Sequence, residues 1–403
     1  GGPLQFAARL GGPLLVVGCA ALAGGALAEI TGSAWAVATT DSHAPVTEGA
    51  QERPYLVVAL LSLVSAAVLA GAGAGAAPSA ARPASSRARA GAAATQSLRV
   101  AIVQGGGKRG LNQLQVPPIE VYEAAVHETR QVRAPVQLIL WPEDVVALGT
   151  TPFAGSPEER SLAAIAHRYN ATLVAGVTED VGTSRFRNEV VAFGPSGRLV
   201  ATFEKRHRVP FGEYIPLRSF FSHLANLADV PRDAIPGTGT GMIATPAGRL
   251  AVLVSYEVFF ASRGRGGVSA GGRLIVVPTN TSSYSNDQAP SQEIAASRLQ
   301  ALEEGRYVLQ AAPTGYSAVI APSGAVLQRS GLASPAEIEA RVELLSADTP
   351  YEQGGDLPVL GLALLALVGG WLASETVRRR SPRTRRLPHP QKSPSRREGA
   401  PPT

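Results

Sequence analysis

Three short segments of this chain hold side chains of the kinds that acid–base and nucleophilic chemistry draws upon. The first, Leu138-Ile139-Leu140-Trp141-Pro142-Glu143, is an apolar run that ends in a carboxylate. The second runs from Phe203 to Pro216 and reads FEKRHRVPFGEYIP, bringing Lys205, His207 and Glu213 close together in sequence. The third, Val252-Leu253-Val254-Ser255-Tyr256-Glu257, is apolar again and runs into a hydroxyl and another carboxylate. In α/β folds the ends of strands present reactive side chains to a crevice. Each segment also has a plain reading when taken singly. A Glu after a strand is usually a solvated loop residue. Lys205 sits among Arg206, His207 and Arg208, as in any solvated basic stretch, and a buried Ser255 could simply bond to backbone.

For such side chains to meet, strands and helices must position them. Residues 97–345 offer short β-type runs alternating with helical patterns: LRVAIVQ, VQLILW, ATLVAGV, NEVVAFG, RLAVLVSY and RLIVVPTN. Asn188–Phe193 and Leu199–Phe203 flank Gly194-Pro195-Ser196-Gly197, which reads as a hairpin turn. Between Pro290 and Glu304, Ile294, Ala295, Leu299 and Leu302 recur at helical spacing, with Glu293, Gln300 and Glu303 elsewhere on the helix. Pro290 suits its first turn. The alternation predicts an α/β domain with covered sheets. Gly105-Gly106-Gly107-Lys108 lacks the spacing of a phosphate-binding loop, and there is no internal repeat.

The 403 residues are 45% hydrophobic but only 5% aromatic, and the apolar content is gathered into spans. Leu10–Ala28, Tyr55–Ala77 and Leu357–Ala373 are each near the roughly 17–25 residues that a membrane-crossing helix needs. Trp371 sits where an interfacial aromatic residue is expected. A net charge of +6 could suit a polyanion, but nine Lys or Arg residues lie between Arg378 and Arg397, against the single acid Glu398. A basic block directly after an apolar stretch marks a cytoplasmic membrane flank. It has no interleaved aromatic residues to stack on bases, so nucleic acid is not an expected partner. The C-terminus is thus placed in the cytoplasm and residues 78–356 outside it. The loop Thr31–Pro54, with Asp41, Glu48 and Glu52 against Arg53, adds nothing to that orientation. Pro78–Ala94 reads as a linker of Ala, Ser, Pro and Arg. The single cysteine, Cys19, excludes a disulfide framework and any multi-cysteine metal site, and reads as a small buried hydrophobe. The chain opens on Gly and has Met242 as its one methionine, which reads as a start missing its upstream spans.

Together, in this order and with these flanking residues, the three segments resemble the carbon–nitrogen hydrolase superfamily and its Glu–Lys–Cys triad. Pro210-Phe211-Gly212-Glu213-Tyr214-Ile215-Pro216 after the lysine is similar to the apolipoprotein N-acyltransferases within it. So are Val277-Pro278-Thr279-Asn280, the helix ending Glu303-Glu304-Gly305-Arg306, and Thr314-Gly315-Tyr316-Ser317. The resemblance covers residues 97–330. It implies an α/β fold, a four-layer α-β-β-α nitrilase-like sandwich flanked by transmembrane helices, seven before it in the usual family member and one after. For this chain it implies a membrane region over 1–78 with two spans, a linker over 79–96 and an extracytoplasmic catalytic domain over 97–350. A third span over 357–373 and a basic cytoplasmic tail over 374–403 complete the division. The expected localisation is a multi-pass protein of the cell membrane.

The same resemblance implies an acyl transfer in two steps and no metal or organic cofactor. A nucleophile takes the acyl chain of a phospholipid, and the amine of a diacylglyceryl-cysteine lipoprotein then takes it from the enzyme. Glu143 is the implied general base. Lys205, with the backbone N–H of Tyr256, is implied to stabilise the oxyanion. Glu213 and Glu257 match further family acids that orient Lys205 or the base. Two departures stand out. Ser255 occupies the slot of the nucleophilic cysteine, and a hydroxyl must lose its proton during attack where a thiol ionises near pH 8.5. Serine elsewhere usually has a histidine base, and His207 lies in the basic run that follows Lys205. After Asn280 the family's Asn-Asp-Ala-Trp-Phe is replaced by Thr281-Ser282-Ser283-Tyr284, leaving Tyr284 as the aromatic at the acyl-chain entrance. Two other readings follow from these changes: a catalytically silent member that binds lipoproteins or lipids, and a membrane-tethered amidase with water as acceptor.

Overall fold

Residues alternate between two apolar environments along the central strands, as a sheet covered on both faces requires. The structure, a computed structural model, describes residues 2–39, 53–75, 96–133, 135–221, 223 and 230–380. The expected linker, apart from residue 96, and the basic tail beyond residue 380 lie outside the described residues. The chain begins with α1 (Ala8–Thr39) and α2 (Arg53–Gly75). Then come β1 (Ser97–Gln104), α3 (Pro118–Thr129), β2 (Leu138–Leu140), β3 (Val146–Ala147), α4 (Pro157–Tyr169) and β4 (Thr172–Val181). They are followed by β5 (Arg185–Phe193), β6 (Leu199–Glu204), α5 (Arg218–Phe221), β7 (Asp233–Ala234), β8 (Met242–Thr245) and β9 (Gly248–Val252). The remainder is α6 (Ala261–Ser269), β10 (Leu274–Pro278), α7 (Gln288–Glu304), β11 (Val308–Ala311), β12 (Ala318–Ile320), β13 (Val326–Arg329) and β14 (Ala336–Glu343). Two helices close it, α8 (Pro350–Gly354) and α9 (Leu357–Arg380).

Among the described residues the strands form two sheets. One runs β14-β1-β2-β4-β5-β6, with β3 on β4 and β7 on β5; the other runs β13-β12-β11-β10-β9-β8. Val100, Ile102, Leu140 and Val174 of the first face Leu250, Val252, Val276 and Leu309 of the second in one buried cluster. The alternate residues Ala101, Val103, Ile139 and Leu173 point the other way, onto Ala125 of α3 and Leu162 and Ala166 of α4. On the far side Leu253, Ile275 and Val277 pack with Val268 of α6 and Ile294 and Ala301 of α7. This is the expected four-layer α-β-β-α arrangement, a nitrilase-like α/β fold. The hairpin also forms as expected, with Gly194 N–H donating to Arg198 O and Gly197 N–H to Gly194 O.

One expectation needs correcting. The helical pattern of α7 places Glu293, Gln300 and Glu303 away from its apolar face, yet all three are buried and Ala295 is exposed. The helix is covered on a second side by the turn that follows β9. Gln300 Nε2 reaches across to donate to Val258 O and Phe260 O.

The stretch Leu4–Ala28 is long and apolar enough to cross a membrane, while Ser62–Ala74 and Leu357–Gly369 are shorter apolar stretches. Of the second expected span, residues 76 and 77 lie outside the described residues. Near its start α1 is kinked at Gly11-Gly12, next to Pro13. Gly12 has φ +61° and lies against the Tyr351 ring, where no Cβ would fit. Cys19 is buried among small apolar neighbours that include Ala7 and Ala66. The described residues up to Pro358 form one compact unit, and those from Val359 to Arg380 a second.

Candidate active site

Glu143 follows β2 by three residues, on a loop pressed against β4. Gly176 N–H donates to Pro142 O at 3.0 Å. A Cβ on Gly176 would stand 2.5 Å from the Glu143 Cα, so only glycine lets the strand approach this closely. Lys205 follows the last residue of β6, and its backbone is held on both sides. Its N–H donates to Asn188 O at 2.9 Å, and its carbonyl accepts from Gly237 N–H at 2.8 Å.

The side chains converge from there. Lys205, 2% exposed, donates through Nζ to Glu143 Oε1 and to Glu213 Oε1, each at 2.8 Å. Asn188 Nδ2 donates to the same two oxygens, each at 2.9 Å. Glu213 Oε2 in turn accepts from Val209 N–H at 2.8 Å, closing the loop that carries it. Burial works against the Lys205 ammonium, but the two carboxylates outweigh it and hold its proton more tightly than usual. Burial raises the Glu143 carboxyl, Lys205 pulls it back, and Glu213 adds to the rise. One ammonium cannot fully compensate the burial of Glu143 and the charge of the partly buried Glu213, so Glu143 remains a stronger base than an exposed glutamate. Next to it, Asp144 is pushed up to about 6, chiefly by burial, while Thr178 Oγ1 donates to its Oδ1.

Ser255 opens a 3-10 helix, Ser255–Phe259, directly beyond β9. Its φ of +47° is in the left-handed region, uncommon for any residue but glycine. Such strain persists only where surroundings impose it. Glu257 imposes it here. Its carboxylate, 0% exposed, accepts from Val254 N–H at 3.0 Å through Oε2. Through Oε1 it accepts from Arg206 N–H at 3.0 Å, His207 N–H at 3.1 Å and Arg263 Nε at 3.2 Å. One buried carboxylate thereby ties the turn holding Ser255 to the residues that follow Lys205. The backbone of the basic run is therefore pinned, although the Arg206 side chain is exposed. His207 stacks on Phe260 with ring centroids 4.4 Å apart, and burial pulls its imidazole below the ordinary range. Tyr256 packs edge-on against the same ring at 5.1 Å.

The structure therefore brings Glu143, Lys205 and Glu213 into direct contact, and joins Ser255 and Tyr256 to them through Glu257. The hydroxyl of Ser255, a residue 7% exposed, has partners that sequence reasoning did not place in the site. It lies 3.3 Å from Glu293 Oε1 and 3.1 Å from Thr279 Oγ1, and Thr279 Oγ1 lies 2.6 Å from Glu293 Oε1. Asn188 was missed likewise. Tyr284 is exposed beyond the end of β10. Among the described residues, no cluster of three or more His, Cys, Asp or Glu side chains is placed to hold a metal ion.

A buried carboxylate–lysine pair and a turn that holds Ser255 at positive φ, on an α-β-β-α sandwich, define a class. The chain matches the carbon–nitrogen hydrolase family over residues 99–344 and belongs to it. It is 30% identical to the apolipoprotein N-acyltransferase of Mycolicibacterium smegmatis over 95% of its own length and 65% of that protein. It is also 30% identical to the apolipoprotein N-acyltransferase of Gloeobacter violaceus, over 69% of this chain and 54% of the relative. It thus spans less than two thirds of the length of either. Among solved structures, Nit3 of Saccharomyces cerevisiae, of the nitrilase superfamily, aligns with a TM-score of 0.46 at 18% identity, covering 62% of this chain and 90% of Nit3.

Proposed function

We propose that this chain is the catalytic part of a membrane-bound N-acyltransferase. It moves an acyl chain from a phospholipid to the N-terminal amine of a diacylglyceryl-cysteine lipoprotein, through an acyl-enzyme on Ser255. The observation that carries the reading is the buried Glu143–Lys205–Glu213 cluster beside the turn that presents Ser255. An ammonium has three N–H donors. Two of those on Lys205 are spent on carboxylates, and the third is left for an oxyanion. The Tyr256 N–H, in the first turn of a helix where no preceding helical carbonyl receives it, is the second oxyanion donor. Glu143 uses Oε1 for Lys205 and Asn188, which leaves Oε2 to accept a proton. The similarity to apolipoprotein N-acyltransferases supports the choice of donor and acceptor.

A membrane location fits the same reading. Apolar side chains of α1 and α2, among them Val17, Leu27, Val64 and Val68, are exposed as lipid-facing residues would be. With α9 as a third span, the Arg-rich tail supports a cytoplasmic C-terminus and an extracytoplasmic position for residues 97–350.

Intact-mass spectrometry after incubation with phospholipid vesicles tests the proposal. The expected result is a single acyl adduct on the parent chain and none on Ser255→Ala, with loss of the adduct to an added diacylated peptide. No adduct on the parent, while Ser255→Cys is readily acylated, would refute the enzyme and leave a binding protein. Release of free fatty acid instead of transfer to the peptide would point to a hydrolase.

A further inference from the structure

We infer that Glu293, held by Thr279, is the proton acceptor for Ser255 when the acyl-enzyme forms, a catalytic residue beyond the Glu–Lys pair. The inference rests on the acyl-transfer reading above and divides its proton transfers between two carboxylates.

A serine hydroxyl is a weak nucleophile unless a base touches it. Glu293 Oε1 is 3.3 Å from Ser255 Oγ, within reach of such a transfer. Thr279 fixes the carboxylate by donating its single hydroxyl hydrogen to the same oxygen at 2.6 Å, and stands 3.1 Å from Ser255. The hydrogen bonds of Glu143 run to Lys205 and Asn188, whereas the Ser255 hydroxyl reaches Glu293. Among the described residues the second oxygen of Glu293, Oε2, is buried without a hydrogen-bond partner, and the residue is only 4% exposed. Burial pushes the Glu293 carboxyl up to about 7, with Thr279 and Ser255 pulling it down, Glu143 raising it and Lys205 lowering it. The group is therefore a carboxylate over the upper half of the physiological range and a much better base than an exposed glutamate.

The step balances as follows. The Ser255 Oγ–C bond forms at the ester carbonyl while the carbonyl π pair moves onto oxygen. The hydroxyl proton passes to Glu293 Oε1. Collapse re-forms the carbonyl and breaks the ester C–O bond to glycerol. The leaving alkoxide takes the proton from Glu293 and departs as the lysophospholipid alcohol, leaving the carboxylate ready again. In the second half the incoming amine forms its N–C bond at the acyl carbonyl and gives its proton to Glu143; collapse breaks the Ser255 Oγ–C bond, and that proton passes on to Ser255 Oγ, restoring hydroxyl and carboxylate.

The test measures the rate of acyl adduct formation from p-nitrophenyl dodecanoate by intact mass, using the full chain in detergent from pH 5.5 to 8.5. Glu293→Gln is made both in the parent and in Ser255→Cys. A carboxylate with its pKa near 7 gives a parent rate that rises with pH through about 7. Glu293→Gln is expected to slow acylation of Ser255 by about 100-fold or more and to flatten that rise. In the Ser255→Cys background, where the thiol ionises on its own account, the same change is expected to cost less than about tenfold. An equal loss in both backgrounds, or no loss in the parent, overturns the role of Glu293 while leaving the acyl-enzyme intact. No adduct on the parent while Ser255→Cys is acylated overturns the acyl-transfer reading and this one together. Should Glu293→Gln fail to fold, the parent's pH profile decides, and a rate flat from pH 6 to 8 overturns the inference.

Discussion

Removing the ammonium from the buried cluster, by Lys205→Met, is expected to destabilise the protein in a way that depends on pH. In the parent, Lys205 Nζ is 2.8 Å from one oxygen of Glu143 and from one of Glu213. At an effective dielectric of 20 each such contact is worth about 6 kcal/mol of Coulomb attraction, most of which offsets the cost of taking the ions out of water. Deleting one partner leaves the other charges uncompensated, and the measured cost of that is about 3–5 kcal/mol. For a domain of this size each kcal/mol moves the midpoint by about 2–4 °C, so the expected fall is roughly 6–20 °C at pH 8. Methionine matches lysine in length, so little of the fall comes from packing. The pH sign follows from the carboxylates. Burial already raises Glu143, and Lys205 is the group that pulls it back. Without Lys205, the folded-state pKa of Glu143 lies further above its unfolded value. The folded variant then holds protons that the unfolded chain releases, and its stability falls as pH rises from about 4.3. The deficit against the parent should therefore be small at pH 5 and full at pH 8. Thermal unfolding in detergent at both values, followed by circular dichroism, gives the comparison. A fall of the same size at pH 5 and pH 8, or none at either, would show that the three groups are not an ionised cluster and would refute the reasoning.

Two further substitutions separate the site from its scaffold. Gly176→Ala puts a methyl group 2.5 Å from the Glu143 Cα and should cost about 1–3 kcal/mol, seen as a lower unfolding midpoint. It should also abolish the acyl adduct, because the loop bearing Glu143 has to move. Ser156→Ala removes the cap that accepts from Glu159 N–H at the start of α4, on the outer face of the first sheet. It should cost about 1 kcal/mol, a fall of about 2–4 °C, and leave the acylation rate unchanged.

Glu143, Lys205 and Ser255 stand at or just beyond strand ends, but each segment has a plain reading alone; their order and flanking residues, shared with the family, singled them out. Glu213 was legible through the distinctive run around it. Asn188 was not. In sequence it merely opens the strand NEVVAFG, and its importance appears only when β5 and β6 pair, with Glu189 opposite Glu204 and so Asn188 opposite Lys205. Glu293 was hidden for a different reason. Helical periodicity assumes that one face meets the core and the other meets water. Helix α7 has protein on two sides, so its polar side chains are inside, paired with the turn after β9 or aimed at Ser255. The sandwich was legible from strand and helix alternation together with the family resemblance. The short strands β11–β13 carry no comparable apolar run, and β13 is exposed along its whole length.

The strand that completes the first sheet comes last. β14 pairs with β1 along its full length, from Ser97 opposite Glu343 to Gln104 opposite Ala336. During synthesis, then, one edge of β1 waits for its partner until the ribosome has added everything between Gln104 and Ala336. At about 5–20 residues per second that interval is roughly 10–50 s. Throughout it, an apolar strand offers unpaired N–H and C=O groups to any neighbouring chain. The nascent protein is thus most exposed to misassociation in the interval before its last strand emerges. A stop codon just ahead of Ala336 would make that condition permanent, even though Glu143, Lys205, Ser255 and Glu293 would all have been made.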